Sequence, residues 1–304
     1  MLDNPLVSVV MPTFNCKEFI SLTLESVINQ TYKDFEFLIV DDCSSDGTRD
    51  IINEYSKKDS RIILIDGDKQ GIGGALNKGC ILAKGKYIAR IDADDICLPT
   101  RFQDEVDFLE DHNDVVLVHS DYYAIDEKGK VLGRSYPCSS MKVIRKLLDL
   151  QLNPIAHPTC MFRKETYLKT TGYPLTPSHE DLILWRSFVK YGDVGTINYP
   201  LVQHRMMGIS LSKKFIGNPY EKVLNAMIAK IISDGGCQNE DIDIYKKVMK
   251  MASSLPVKSL YNQEKSLGEI LYRSFGRFLP ESLSQELIIM IKNVYLYFRY
   301  LCWK

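Results

Sequence analysis

KGKYIARIDADDICLPTRFQ, residues 84–103, sets a short apolar run directly against a cluster of carboxylates. Tyr87 to Ile91 has the character of a buried strand, bounded by Gly85 before it and an acidic turn after it. Asp92, Asp94 and Asp95 therefore stand at a strand's C-terminal end, and open α/β sheets bind ligands in the crevice outside that edge. Carboxylates this close raise one another's pKa unless a cation or hydrogen-bond donors compensate. In an extended turn alternate residues point the same way, so Asp92 and Asp94 can face one ion while Ala93 faces away. Oxygen ligands of this kind suit Mg²⁺ or Mn²⁺. The plain alternative is a solvated acidic turn capping the next helix, and the apolar strand in front weighs against it.

Upstream, the same grammar repeats. Leu6 to Met11 is a β-branched run that Pro12 should end by removing a backbone donor. Thr13 and Asn15 then sit at that strand's C-terminal edge, as helix caps or as ligand contacts, before apolar residues from Phe19 to Ile28 recur at helical spacing. Phe35 to Val40 is a second strand ending in Asp41-Asp42-Cys43-Ser44-Ser45-Asp46-Gly47, where Asp46 reads as a cap and Asp42 as the ligand contact. A third strand, Arg61 to Ile65, leads through a glycine-rich loop to a helix over Ala75 to Ala83, in which Asn77 is either exposed or turned towards a ligand. That loop lacks the G-x-G-x-x-G spacing of a dinucleotide site, and no phosphate-binding P-loop motif occurs.

Downstream, a helix from Leu98-Pro99-Thr100 to Asp111 should bury Phe102, Val106 and Leu109 and expose Glu105, Asp107, Glu110 and Asp111. Val115 to Val118 is another buried strand. The β-α alternation to this point predicts a largely parallel, twisted sheet with helices on both faces. Beyond it the alternation breaks: a hairpin turn at Asp126 to Lys130, a basic amphipathic helix within Tyr136 to Leu150, and a polar-tipped strand over Asn153 to Arg163 that carries His157. Glu180 and Asp181 open a further helix. There they either complement the helix dipole, by about 0.3–1 kcal/mol, or put a general base in the cleft at Asp181. A strand from Val194 to Val202 ends in Gln203-His204-Arg205, a cluster able to clamp phosphates.

The whole chain has 304 residues, is 45% hydrophobic and 25% charged, and carries a formal net charge of −1. It therefore lacks the basic excess of a dedicated nucleic-acid binder. Its eight cysteines contain no C-x-x-C pair, which argues against a zinc site and a disulfide framework. The start of the chain does not read as a signal peptide, no apolar stretch is long enough to span a membrane, and a cytoplasmic location is expected. From 214 to 304 the pattern is helical. In Ser284 to Lys304 an apolar stripe mixed with aromatic and basic residues suits packing on the main domain, subunit pairing, or peripheral contact with the inner face of an anionic membrane.

The blocks VSVVMPTFN, FEFLIVDDCSSDGT, GIGGALNKG, GKYIARIDADDICLPTRF, HPTCMFRK and HEDLILWRSFVKYG, in this order and spacing, resemble the family 2 glycosyltransferases over about residues 5 to 212. The resemblance implies a GT-A fold over 1–213, with a nucleotide-binding half at about 1–121 and an acceptor half at about 122–213, followed by a C-terminal helical region. It also implies a nucleotide-sugar donor, a divalent metal, and inversion at the anomeric carbon. By position, Pro12, Thr13 and Asn15 would line the nucleotide pocket with Asn77 nearby, and Asp42 would bind the base, preferably uracil through its imide N–H. Asp92 would touch ribose or metal, Asp94 would hold the metal, and Arg205 would approach the diphosphate. Asp181 would be the catalytic base, with Glu180 and His157 on the acceptor side. The family often has a histidine two residues after this arginine, where this chain has Met207. The expected acceptor is a glycan or lipid-linked saccharide hydroxyl in cell-surface polysaccharide synthesis. The competing functions are a non-catalytic sugar-binding module and a sugar nucleotidyltransferase; the latter normally carries a glycine-rich loop where this chain has PTFNCKEF.

Overall fold

The computed structural model describes residues 5–206 apart from 136, 138, 150–152 and 177–179. These lie in a unit that runs to Gly208. The region from 214 that is expected to be helical, the stripe expected over 284–304 and Met207 lie outside the described residues.

Four parallel strands form one side of the sheet: β1 (Val7–Thr13), β2 (Phe35–Asp41), β3 (Ile62–Asp66) and β4 (Tyr87–Arg90). They alternate with helices α1 (Ile20–Ile28), α2 (Thr48–Ser56) and α3 (Gly71–Leu82). Then come β5 (Ile96–Cys97), α4 (Arg101–Asp111), β6 (Val115–Ile125), β7 (Val131–Arg134) and α5 (Met141–Asp149). The remaining elements are β8 (Cys160–Arg163), α6 (Lys164–Leu168), α7 (Glu180–Phe188) and β9 (Asp193–Arg205). The sheet order is β3-β2-β1-β4-β8-β6-β9-β5, with β7 on β6. The sheet is mixed, because β8 runs antiparallel between β4 and β6.

Alternation along β1 shows why its residues are nearly all apolar. Val7, Val9 and Met11 join a core with α1, α2 and α4 residues, whereas Val10 packs on the other face with Leu76 of α3 and Trp185 of α7. A strand covered on both faces has no solvent side to mark with polar residues. Ser8 is an exception made acceptable by hydrogen bonding: its hydroxyl donates to Glu36 Oε1 at 2.6 Å and accepts from Gly85 N at 2.8 Å.

Several expected boundaries move. β1 continues through Pro12 to Thr13, because its pairing with β4 stops at Val10 and the missing proline donor falls beyond that pair. α3 begins at Gly71 rather than Ala75, so the glycine-rich stretch is mostly the helix's first turn. A Cβ at Gly73 would come 2.4 Å from Pro174 O, so this turn must be small to lie against the 173–175 loop. The strand after α4 extends to Ile125, where it pairs along nearly all of β9. His157–Thr159 is a single 3-10 turn, and only Cys160–Arg163 is strand.

Glu105 corrects an expectation outright: it is fully buried, not exposed. Its Oε1 accepts from Arg101 Nε at 3.0 Å, and Arg101 is equally buried. Arg101 also donates to Arg90 O at 2.7 Å, to Cys160 O at 3.3 Å and to Cys97 Sγ at 3.3 Å. The i,i+4 pattern that looked like a solvated charged face is an internal strut joining α4 to β4, β5 and β8.

Candidate active site

The acidic turn is held from several sides. Thr23 Oγ1 of α1 donates to Ala93 O at 3.0 Å. Asp95 is fully buried and accepts from Arg205 N at 2.7 Å, with His204 Nδ1 2.9 Å from its Oδ2. Arg205 donates Nε to Asp94 O at 2.9 Å and Nη1 to Asp126 O and Glu127 O at 2.9 and 3.0 Å, while its guanidinium lies 4.6 Å from the Phe19 ring centroid. Among the described residues its buried Nη2 has no hydrogen-bond partner. Asp95 and Arg205 thus weld the end of β9 to the turn.

Asp92 and Asp94 have different surroundings. Arg90, with only 2% of its side chain exposed, reaches both Asp92 oxygens at 2.5 Å, Nη1 to Oδ2 and Nη2 to Oδ1. Among the described residues the half-buried Asp94 carboxyl has its own backbone N–H as a donor and no side-chain donor. Burial, then Asp95 and Asp92, push that carboxyl up to about 7.

Asp92, Asp95 and His204 each offer a ligand atom within 4.8 Å of the others. Yet Asp95 is already engaged by His204 and Arg205 N. Burial opposes charge on His204, but Asp95, with Asp92 and Asp94, outweighs it and raises the imidazole to about 9, so an ion bound here would have to displace that proton. Asp94 is the carboxyl that burial, Asp95 and Asp92 together hold against ionisation, and a divalent cation would fit it, with Asp92 alongside.

At the ends of β1 and β2 a second polar group forms. Asn15, at φ 51°, receives Ser45 N–H on Oδ1 at 2.8 Å and donates its own N–H to Ser44 Oγ at 2.9 Å. It cross-links two loops and does not cap α1, whose N-cap is Phe19. Asp46 does serve the start of α2, accepting Thr48 N–H at 2.9 Å. Asp42 Oδ2 accepts Gly71 N–H at 2.9 Å. Among the described residues Asp42 Oδ1 and Thr13 Oγ1 are buried without a well-formed hydrogen bond, although Cys16 lies close enough to Thr13 to interact with it, and a buried orphan costs roughly 1–3 kcal/mol unless a ligand supplies a partner. Pro12 is buried in β1 beside them. Cys16, in the loop after β1, is near enough to feel the charges of Asp94 and Asp92, which connects this group to the acidic turn.

Glu180 and Asp181 open α7, and Arg90 acts electrostatically on both. Burial raises Asp181, while the Leu182 N–H at 2.7 Å, Arg90 and Asn153 Nδ2 at 2.6 Å pull it down. Burial and Asp181 raise Glu180. His157 is buried, with Nδ1 3.7 Å from Glu180 Oε1 and Nε2 3.0 Å from the Tyr173 hydroxyl. Asn77 is neither free nor turned to a ligand: its Nδ2 donates to Tyr173 O at 2.7 Å, and its Oδ1 accepts Tyr173 N–H at 2.8 Å and Tyr167 O–H at 2.6 Å. Gly172, at φ +73°, lets that loop pass, since a Cβ there would sit 2.6 Å from Asn77 Oδ1. The sequence-based reading missed Arg90 and Asn153. The available signals were an arginine two residues before the D-x-D pair and an asparagine held extended by Pro154.

The model of the family described as Glycosyl transferase family 2 matches residues 8–172, over half of the chain. The chain belongs to glycosyl transferase family 2. It is 40% identical over 172 residues to an uncharacterized glycosyltransferase of Methanocaldococcus jannaschii, covering 55% of this chain and 59% of that one, so it matches less than two thirds of that relative's length. It is 37% identical over 188 residues to the Escherichia coli UDP-Glc:alpha-D-GlcNAc-diphosphoundecaprenol beta-1,3-glucosyltransferase WfaP, covering 62% of this chain and 71% of that one. The crystal structure of S. aureus TarS 1-349 in complex with UDP-GlcNAc superposes with a TM-score of 0.58 at 21% identity, covering 74% of this chain and 66% of that one, a likeness of fold. This family 2 member thus shares the architecture of glycosyltransferases, and among its described residues no helix is long and apolar enough to cross a membrane.

Proposed function

We propose that the chain is an inverting glycosyltransferase that moves a sugar from a nucleoside-diphosphate donor, preferably a UDP-sugar, to a hydroxyl of a glycan or lipid-linked saccharide. The observation that carries this reading is the placement of the D-x-D turn and the Glu180-Asp181 pair around the shared buried cation Arg90. The orphaned Asp42 Oδ1 and Thr13 Oγ1 support a nucleotide pocket beside it, Asp42 taking the base's imide N–H.

Asp181 takes the proton from the acceptor hydroxyl. That oxygen bonds to the anomeric carbon as the bond to the diphosphate oxygen breaks on the opposite face, and the nucleoside diphosphate leaves with the electron pair. A Mn²⁺ or Mg²⁺ ion held by Asp94, with Asp92 alongside, would neutralise charge on the leaving group. Arg205 Nη2 is placed to add a donor. The name of the E. coli relative supports a lipid-linked saccharide acceptor, and hence a role in cell-surface polysaccharide synthesis at the cytoplasmic face of the membrane. The transferase domain would extend over 1–213, and the region from 214 would pack on it, pair with another subunit or contact the membrane.

The test measures UDP release from UDP-glucose and UDP-N-acetylglucosamine with Mn²⁺ or Mg²⁺, with and without undecaprenyl-diphosphate-linked N-acetylglucosamine, and after EDTA. Acceptor-stimulated, chelator-sensitive release is expected. Donor binding without release would indicate a binding module, and pyrophosphate formation from UTP and a sugar phosphate a nucleotidyltransferase.

A further inference from the structure

Asn153 stands just before the turn that carries His157, far from Asp181 in sequence, yet its side chain reaches that carboxylate. Pro154 biases Asn153 to extended backbone. Its Oδ1 accepts Ile155 N–H at 3.1 Å, and its Nδ2 donates to Asp181 Oδ2 at 2.6 Å. The two contacts agree on one orientation of the amide: turned over, it would set its oxygen against a carboxylate oxygen and its NH₂ against an N–H. Asp181 Oδ1 is held separately by Leu182 N–H at 2.7 Å. Among the described residues Asn153 and Leu182 N–H thus hold one carboxylate oxygen each, and such an oxygen can accept a further hydrogen bond from an incoming hydroxyl.

We infer that Asn153 is a positioning residue for the transfer step, holding the Asp181 carboxylate in the plane from which it accepts the acceptor's proton. This rests on Asp181 being the base. A charge-assisted hydrogen bond of this kind favours the ionised carboxylate, as a base requires before it takes a proton. Among the described residues Arg90 from β4 favours ionisation of Asp181 against the cost of burial, while Glu180 on its own helix and the Cys160 thiol of β8 lie close enough for the Asp181 charge to raise them. Asn153 adds an uncharged donor, exposed at the surface, and does so without another buried charge. A positioning role predicts an effect on turnover and on the acid limb of its pH profile, with donor binding untouched.

The experiment compares Asn153→Ala, Asn153→Ser and Asp181→Asn with the parent chain. UDP release from UDP-glucose and UDP-N-acetylglucosamine is measured with undecaprenyl-diphosphate-linked N-acetylglucosamine across pH, and the Asp181 carboxyl is followed by ¹³C NMR titration, which needs no turnover. Asn153→Ala should lower kcat by roughly ten- to a hundredfold with donor KM unchanged. It should also move both the acid limb and the Asp181 titration to higher pH. Asn153→Ser, which keeps a donor, should recover part of the rate. If Asn153→Ala leaves kcat and the Asp181 titration unchanged while Asp181→Asn is inactive, the inference about Asn153 is wrong and the assignment of the base stands. If Asp181→Asn turns over like the parent, the base itself is misassigned. An Asn153→Ala variant that loses rate only through donor KM would make Asn153 a substrate contact and overturn the positioning role.

Discussion

Arg90 grips both carboxylate oxygens of Asp92, each at 2.5 Å, from a position almost wholly inside the protein. A lysine cannot reproduce this planar, two-pronged contact. Asp92 keeps 26% of its side chain exposed, so solvent shares in screening it. Arg90→Met should therefore destabilise the fold by about 2 kcal/mol, below the 3–5 kcal/mol of a fully buried pair. It should also weaken UDP binding, as Asp92 would then stand uncompensated beside Asp94. Urea unfolding and UDP titration calorimetry measure the two effects, and Arg90→Lys should recover little of either.

The Arg101–Glu105 pair is the deeper one, with both side chains fully buried. Glu105→Ala strands the Arg101 charge and should cost about 3–5 kcal/mol, whereas the double replacement Arg101→Met, Glu105→Leu should cost less than either single change. Urea unfolding of Arg101→Met, Glu105→Leu and the double variant against the parent forms the cycle. Additive losses would mean that the two groups do not act as a pair.

Gly79 sets helix propensity against packing. Alanine in a helix interior is favoured over glycine by about 1 kcal/mol. Here, however, the new Cβ would lie 2.5 Å from Val10 Cγ1 and 3.3 Å from Val40 Cγ2, against two central strands. Gly79→Ala should destabilise by about 1–3 kcal/mol, and a gain in thermal stability would show that α3 can lift from the sheet without loss.

Burial, with Arg90 adding to it, holds the His157 imidazole well below its ordinary value of 6.5. Between the folded and unfolded values only the unfolded chain binds the proton, so this residue's contribution to stability is full above about 6.5 and is lost as pH falls below it. His157→Gln removes that titration. The fall in Tm between pH 8 and pH 5.5 should be smaller in the variant than in the parent, and parallel curves for the two would contradict the buried, neutral state.

The parallel half of the sheet was legible because local pattern suffices there: β1, β2 and β4 are apolar runs, each followed by polar residues at the strand's C-terminal end. The acidic turn was legible for the same reason. What the sequence concealed depends on distant partners. Glu105 follows a solvated helical pattern and becomes internal only because Arg101 reaches the backbone of two strands. Asn77 looks like a ligand contact until Tyr173, 96 positions away, takes its amide. Arg205 looks like a phosphate clamp, yet Asp94 O, Asp126 O and Glu127 O take most of its donors. For Asp95 what stayed hidden was not that it braces the turn but its partners, His204 and Arg205 N–H, which β9 brings to it.

Asp181→Asn separates binding from chemistry most directly. The variant preserves the shape of the side chain and removes its capacity to take a proton, so a UDP-sugar at about 100 times its dissociation constant should still stabilise the protein by ~2.7 kcal/mol. The decisive measurement is the rate of acceptor-dependent UDP release by this variant against the parent, with that thermal shift recorded on the same samples. An undiminished shift with turnover lowered by several orders of magnitude is the expected result; turnover within about tenfold of the parent would contradict the assignment of Asp181 as the base.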